Sequence, residues 1–355
     1  MDSPVLELLL NGDWGPWTPV RDRLQKWRMY PELVRTLREL NRDELFRSPV
    51  HGEGHIERVI LLGALCAMER DLPDDDVRLL LIACSYHDTG RLSDWLDDAH
   101  GRRSAYKLER ITGLTGDDLA MLMAAVEAHS RRDADMDGIL AGYAPKDPER
   151  CRELARLLKD ADGLDRVRLS DLDVSYLRTP EAAELAEFSR WLFDAYNGEL
   201  RKRGETPPSK PDYFDRELVT RVRDRVHAAL QEGQGIMETV AGCLTQLFAC
   251  QPPEAMLSHP CGVAWREKAC GAWEGAVCFV RDYVLQKNGD PDGPTAKFRA
   301  KFLDQYRSDR CEDLRTFGFR EDDPVWVCAP YILDVILFTY YFLTRDVTFD
   351  EPDGP

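Results

Sequence analysis

The stretch DVRLLLIACSYHDTGR, residues 76–91, decides how the surrounding chain is interpreted. Four residues of its helical pattern share one face: Leu80, Ala83, Cys84 and His87. His87 therefore faces the core from the last turn of a predicted helix, and Gly90 is a natural stop. The side chains of adjacent residues inside a helix point about 100° apart. Beyond the end of the helix this restriction does not hold, so Asp88 can turn towards the same centre as His87. The pair predicts two ligands for one buried centre.

Composition excludes several classes of protein. Of the 355 residues, 43% are apolar and 31% charged, which is typical of a folded globular protein with room for two structural units. The net charge of -17 argues against binding of nucleic-acid duplexes, which requires a basic surface.

The early VLELLL stretch carries Glu7 and lacks a basic lead, so we expect no signal peptide and a cytoplasmic location. The ten cysteines include no CxxC pair and suit free thiols in a reducing compartment.

Nearly every periodic segment is helical, which predicts an all-α fold: a helical bundle with additional N-terminal helices and a mostly helical C-terminal extension. We expect residues 1–45 to form helices that pack on a metal-binding domain at 46–208. Residues 209–355 form a mostly helical region whose role the sequence leaves open. The apolar run from Val325 to Thr344 contains Pro330 and Asp334, so we predict a buried helix rather than a membrane span.

Three further histidines have informative positions. His55 opens the segment HIERVILLGALCAME and shares a helical face with its apolar residues. His129 ends another apolar helical face, and His100 lies where a loop leads into a helix. Each alone is more often a hydrogen-bonded core residue than a metal ligand.

A fourth helix contributes an aspartate. The segment DPERCRELARLLKDADGLDRVRL begins with Asp147 as a helix cap and Pro148 at the first helical position. Spacing places Asp162 on the apolar face and Asp160 on a mostly polar side, so we select Asp162. Burying four histidines and two aspartates together is costly unless one or two metal ions are bound among them.

The order of these residues resembles the HD superfamily of metal-dependent phosphohydrolases. HIERV is similar to its H-x-x-R-V opening, YHDTGR to its HD-x-G-K/R core and DADGLDRV to its A-D-x-L-D segment. The resemblance covers about residues 50–180 and depends on the ordered set more than on any one motif. Residues 210–355 show no comparable resemblance.

The resemblance implies a ligand set. It assigns a first metal to His55, His87, Asp88 and Asp162, and it makes Asp88 a bridge to a second metal held by His100 and His129. The implied cofactor is one or two divalent transition metal ions. Imidazole and carboxylate ligands suit Mn, Fe, Co, Ni or Zn, and Mg is compatible.

The resemblance also implies hydrolysis of a phosphate ester in a nucleotide or another phosphorylated small molecule, by a metal-activated water. Arg91 is the first candidate for holding phosphate, and four other arginines lie beside the motifs: Arg102, Arg103, Arg131 and Arg132. Asp165, three residues after Asp162, is a candidate for proton transfer or for orienting a ligand, with a cap or salt bridge as the structural alternative. His51, in the loop before the helix of His55, is a candidate substrate or acid/base residue near the site entrance.

Two other functions use the same residues. A small HD branch, similar to inositol and phosphonate oxygenases, activates oxygen at a mixed-valent di-iron pair. Those oxygenases have a lysine just after the HD pair where this chain has Arg91, which favours hydrolysis. The third alternative is a regulatory module that senses a nucleotide and acts on a partner through residues 209–355. That region is also a candidate interface for a homo-oligomer.

Overall fold

The computed structural model describes residues 3–91, 94, 100–207, 216–252, 270–306, 308–311 and 328–347. These residues form helices and connecting turns and contain no β-strand, which confirms the predicted all-α fold. Contacts divide the chain into two compact units, Met1–Lys210 and Pro211–Pro355.

The first unit contains eleven α-helices within its described residues. They are α1 (Pro4–Asn11), α2 (Thr18–Lys26), α3 (Tyr30–Glu39), α4 (Glu53–Glu69), α5 (Asp74–Tyr86), α6 (His100–Thr112), α7 (Gly116–His129), α8 (Asp133–Tyr143), α9 (Pro148–Leu164), α10 (Pro180–Glu184) and α11 (Ala186–Lys202).

The core of this unit lies between α4, α5, α7 and α9. Helix α4 is buried on nearly every side from His55 to Ala67, because α5 and α9 pack against it and the N-terminal helices α1 and α3 also contact it. Helix α7 packs between α6 and α9. Every one of these central helices therefore has an apolar face fixed by neighbours, which holds the ends of the helices in a defined arrangement.

A local sequence signal sets one of the two helix boundaries that matter for the site. Asp147 caps α9 as predicted, since its side chain accepts a hydrogen bond of 3.0 Å from the Arg150 amide. Helix α5 ends at Tyr86, but Gly90 has a different role from the predicted helix stop. A Cβ at Gly90 would collide with the backbone of His100 and Ser104, so glycine is required for close packing against α6.

The second unit is also helical in its described residues. Its helices are α12 (Arg216–Gln231), α13 (Ile236–Phe248), α14 (Gly271–Gln286), α15 (Asp292–Tyr306) and α16 (Ala329–Tyr341). Trp273, Phe298 and Phe302 are fully buried and pack together in its core. Asp334 is buried in α16, where its carboxylate accepts a hydrogen bond from the Tyr306 hydroxyl.

No helix in the described part of the chain has the length and apolar character needed to cross a bilayer. The predicted buried helix within Val325–Thr344 corresponds to α16, and residues 325–327 of that run lie outside the described residues. The nine cysteines in the described ranges are all free thiols.

Candidate metal centre

The ends of four central helices and the start of α6 bring the six predicted ligands together. His55 lies in the first turn of α4, His87 and Asp88 follow α5, and His100 is the first residue of α6. His129 is the last residue of α7, and Asp162 lies in the last turn of α9. These six side chains are called the ligand cluster below. Their role as ligands stays a prediction.

His55 and His87 form the first half of the cluster, with their Nε2 atoms 3.2 Å apart. The Nδ1 atoms of both rings face groups that only accept, namely Asp165 at 2.8 Å and the Cys84 carbonyl at 3.0 Å. Both rings therefore donate from Nδ1 and turn their Nε2 atoms towards each other. Two nitrogens that bind one ion at about 2.0–2.1 Å lie about 3 Å apart, so a shared cation fits this arrangement.

His100 and His129 form the second half. Their Nε2 atoms lie 2.9 Å apart, and His129 donates from Nδ1 to the Val126 carbonyl at 2.5 Å. The same reasoning leaves the Nε2 lone pair of His129 facing inward. This second pair repeats the geometry of the first pair on the other side of Asp88.

Asp88 lies between the two pairs of histidines. Its Oδ2 is 3.6 Å from His55 Nε2 and 3.7 Å from His87 Nε2. Its Oδ1 is 3.0 Å from His100 Nε2 and 3.6 Å from His129 Nε2. One carboxylate oxygen thus faces each pair, which is the arrangement of a carboxylate that bridges two ions.

Asp162 completes the cluster on its open side. Its Oδ1 lies 3.4 Å from His55 Nε2 and 3.9 Å from His87 Nε2, and 29% of its side chain is exposed. The other ligands are more than nine-tenths buried. The cluster is therefore accessible to solvent at Asp162.

The prediction that Asp160 lies on a polar side of α9 was wrong. Asp160 is fully buried and accepts hydrogen bonds from the Arg178 amide at 2.8 Å and the Thr179 amide at 2.9 Å. The Thr179 hydroxyl also donates to it, at 2.7 Å. These partners come 18 and 19 residues later in the chain, so the periodicity of α9 alone did not indicate them.

Behind the ligand cluster, Asp165 connects His55 to Arg58. Its Oδ2 accepts from His55 Nδ1 and from Arg58 Nη2, and its Oδ1 accepts from Arg58 Nε at 2.6 Å. Burial opposes ionisation of Asp165, but the Arg58 charge and the His55 hydrogen bond outweigh it and lower the pKa to about 2. The carboxylate is therefore charged and sets the ring orientation of His55, the geometry of a ligand orienter.

The donor set suits a metal ion. Among the described residues, neither oxygen of Asp88 accepts a hydrogen bond of good geometry, although imidazole nitrogens surround both. Burial opposes the charge on Asp88, but Arg91 and the adjacent imidazoles hold its pKa well below the usual range. Burial likewise lowers the pKa of His87 to about 3, which keeps that ring neutral. Neutral imidazoles and a charged carboxylate are the protonation states that divalent transition metals bind.

His51 lies beside the cluster rather than in it. Its ring is 5.9 Å from the ring of His55, and it is 5% exposed, so it lines the interior of the site. Its Nδ1 donates to Asp94 Oδ1 at 2.8 Å, and the Ser48 hydroxyl donates to the same oxygen. Burial raises the pKa of Asp94 to about 6. Sequence reasoning missed Asp94, because it lies in a loop without helical periodicity.

The predicted phosphate-binding arginines occupy different surroundings. Arg91 Nε lies 2.8 Å from Asp88 Oδ2, so its charge lies against the cluster. Arg103 donates to the Gly90 carbonyl at 2.8 Å, and Arg102 lies over the ring of Tyr106. Arg131 and Arg132 are 42% and 88% exposed and extend towards Asp135.

Sequence reasoning also missed Arg168. It follows Asp165 by one helical turn in the 3-10 segment Asp165–Leu169, and 7% of its side chain is exposed. The spacing of three residues from Asp165 was a signal that could have identified it.

Residues 52–167 match the family model described as HD domain. Together with the buried histidine and aspartate cluster, this match confirms the HD domain that the motifs predicted. HD domains are in general metal-dependent hydrolases, and the matched residues lie within the first unit. The match covers about a third of the chain and leaves the second unit outside it. A search of curated proteins and a search of solved structures each found no match.

Proposed function

We propose that this protein is a binuclear metal-dependent phosphohydrolase that acts on a nucleotide or another phosphorylated small molecule. The observation that carries the proposal is the position of Asp88, whose two oxygens each face a separate pair of histidines. Two divalent ions at such a site, when bound, lower the pKa of a shared water to about neutrality and stabilise charge on phosphoryl oxygens.

The surrounding residues supply positioning and proton transfer. Arg91 places a guanidinium against the cluster, where it stabilises an anionic group. His51 has its Nδ1 held by Asp94, which leaves Nε2 to exchange a proton with a leaving-group oxygen or a water. Asp165 keeps the His55 ring fixed during the reaction through its hydrogen bond to Nδ1.

The test combines metal analysis of freshly purified protein with a screen for phosphate release from nucleotides and phosphorylated metabolites. We expect Mn, Fe, Co, Ni or Zn at up to two ions per chain and turnover of at least one phosphate ester. His51→Gln should lower kcat by about 100- to 10,000-fold while the metal content stays that of the wild type. Iron together with oxygen uptake, a mixed-valent paramagnetic signal and no phosphate release would instead identify an oxygenase.

A further inference from the structure

Arg168 has an unusual environment for an arginine that is nearly buried. Its Nε donates to the Val50 carbonyl at 2.9 Å and its Nη1 donates to the Asp165 carbonyl at 3.0 Å. These two bonds hold the guanidinium beside the residue that precedes His51. They leave Nη2 available to a ligand.

The charge of Arg168 is not needed to neutralise its nearest carboxylate. Asp165 already forms a two-point ion pair with Arg58, at 2.6 and 2.9 Å, whereas Arg168 Nη1 is 3.6 Å from Asp165 Oδ2. Burying a guanidinium beside a carboxylate that is already paired costs free energy. An anionic ligand in the site would offset that cost.

Arg91, whose side chain is 12% exposed, brings a second guanidinium to the same region. Burial lowers the pKa of His51 most strongly. The positive charges of Arg91 and then Arg168 are the next largest causes, and both also lower it. Both arginines also act to lower the pKa of Asp94, the carboxylate that pairs with His51. The geometry agrees, because Arg168 is hydrogen-bonded to the residue before His51 and Arg91 Nε lies 2.8 Å from Asp88 Oδ2 in the ligand cluster.

We propose that Arg91 and Arg168 together bind the non-bridging oxygens of the substrate's phosphoryl group. This inference rests on the proposed function and adds to it the residues that recognise the anion. A guanidinium presents several N–H donors in a fixed plane and suits phosphoryl oxygens better than an ammonium group does. Because Arg168 is anchored through Nε and Nη1, its remaining nitrogen is positioned before the ligand arrives.

Binding of inorganic phosphate to the full chain loaded with Mn²⁺ tests the proposal without turnover. Arg168→Gln should weaken phosphate binding by about 10- to 100-fold in titration calorimetry, since a hydrogen bond to a charged group is removed. Metal content measured on the same samples should equal that of the wild type. Arg166→Gln is the matched control, because Arg166 lies in the same segment, is 46% exposed and pairs with Asp171.

A second measurement uses the unaltered protein. Phosphate should slow the reaction of phenylglyoxal with Arg168 and Arg91, followed by mass spectrometry, and leave the labelling of Arg166 unchanged. If Arg168→Gln unfolds or loses metal, this protection experiment decides the question. Unchanged labelling of Arg168, or phosphate affinity within about twofold of the wild type at equal metal content, would overturn the proposal.

The outcomes separate this inference from the proposed function. Arg168-dependent phosphate binding without hydrolysis of any ester would leave the anion site standing and reject the phosphohydrolase. Hydrolysis that phosphate inhibits equally in the wild type and in Arg168→Gln would reject the anion site alone.

Discussion

Asp165 and His55 are joined by a hydrogen bond of 2.8 Å between the carboxylate Oδ2 and the ring Nδ1, while the opposite ring nitrogen faces His87. A carboxylate in this position fixes the tautomer of a ligating imidazole and increases its basicity. Asp165→Asn should therefore weaken metal binding by about 10- to 100-fold, measured by competition with a chromogenic chelator.

The same substitution removes the charge that pairs with Arg58. Since Arg58 is 2% exposed, the metal-free variant should also be less stable in urea than the wild-type protein. Asp171→Asn serves as the control, because Asp171 forms an ion pair with the half-exposed Arg166. Equal chelator competition by wild type and Asp165→Asn would show that Asp165 does not orient a ligand.

The position of Asp88 predicts different metal contents for different ligand variants. His100→Ala removes a ligand from one half of the cluster only, so the purified protein should retain about one ion per chain where the wild type holds about two. Asp88→Ala removes the residue shared by both halves and should abolish binding at both. His87→Ala removes a ligand from the other half only, so it should also retain about one ion per chain but lose activity.

Metal analysis by inductively coupled plasma mass spectrometry on dialysed protein gives these ratios. His227→Ala, which alters a histidine of the second unit, should leave the metal content unchanged. A wild-type protein with one ion per chain that His100→Ala retains in full would contradict the binuclear arrangement.

Helical periodicity predicted the inward direction of the histidines because packing, rather than loops, sets their positions. His55, His87 and His129 each lie on or directly after a helix whose apolar face is buried, so the period of the apolar residues also fixes where the imidazoles point. The motif order then predicted the HD domain that the family match confirms.

Other residues of the site depend on contacts that no local pattern encodes. Asp94 accepts a hydrogen bond from His51, which is 43 residues away in the sequence. Arg168 donates to a carbonyl that is 118 residues earlier. Glycine is needed at position 90 because a Cβ there would collide with the backbone of α6, and not because a helix ends there. Loop and 3-10 residues like these have no repeating spacing, so only the folded arrangement identifies them.

Asp160 leads to a prediction about stability rather than catalysis. Asp160→Ala should lower the free energy of unfolding by roughly 2–5 kcal/mol, because it leaves the buried donors of Thr179 without their acceptor. Urea denaturation monitored by far-UV circular dichroism measures this change. Under conditions where the variant is folded, its metal content should equal that of the wild type.

Asp137→Ala provides a comparison, since the Asp137 side chain is 75% exposed and its ion pair with Arg152 lies at the surface. A loss of metal by folded Asp160→Ala would show instead that Asp160, and not Asp162 alone, serves the metal site.

Glu57 predicts a pH dependence of stability. Its side chain is fully buried on α4 and lies 3.1 Å from the Arg42 guanidinium, but burial dominates and raises the pKa from 4.5 to about 7. Between these two values the folded chain binds more protons than the unfolded chain, so this group's contribution to stability is lost as the pH rises from 4.5 to about 7. The loss amounts to about 3 kcal/mol at 1.36 kcal/mol per pKa unit.

Glu57→Gln removes this titration while it keeps the size of the side chain. For metal-free protein, the free energy of unfolding of the variant minus that of the wild type should increase by about 3 kcal/mol between about pH 4.5 and about pH 8. Urea titrations at both pH values measure that difference, from which the pH dependence common to both proteins cancels. Glu39→Gln, at a position 66% exposed, should show no comparable increase. A difference between Glu57→Gln and wild type that stays constant over this range would mean that the Arg42 charge offsets the cost of burying the carboxylate in full.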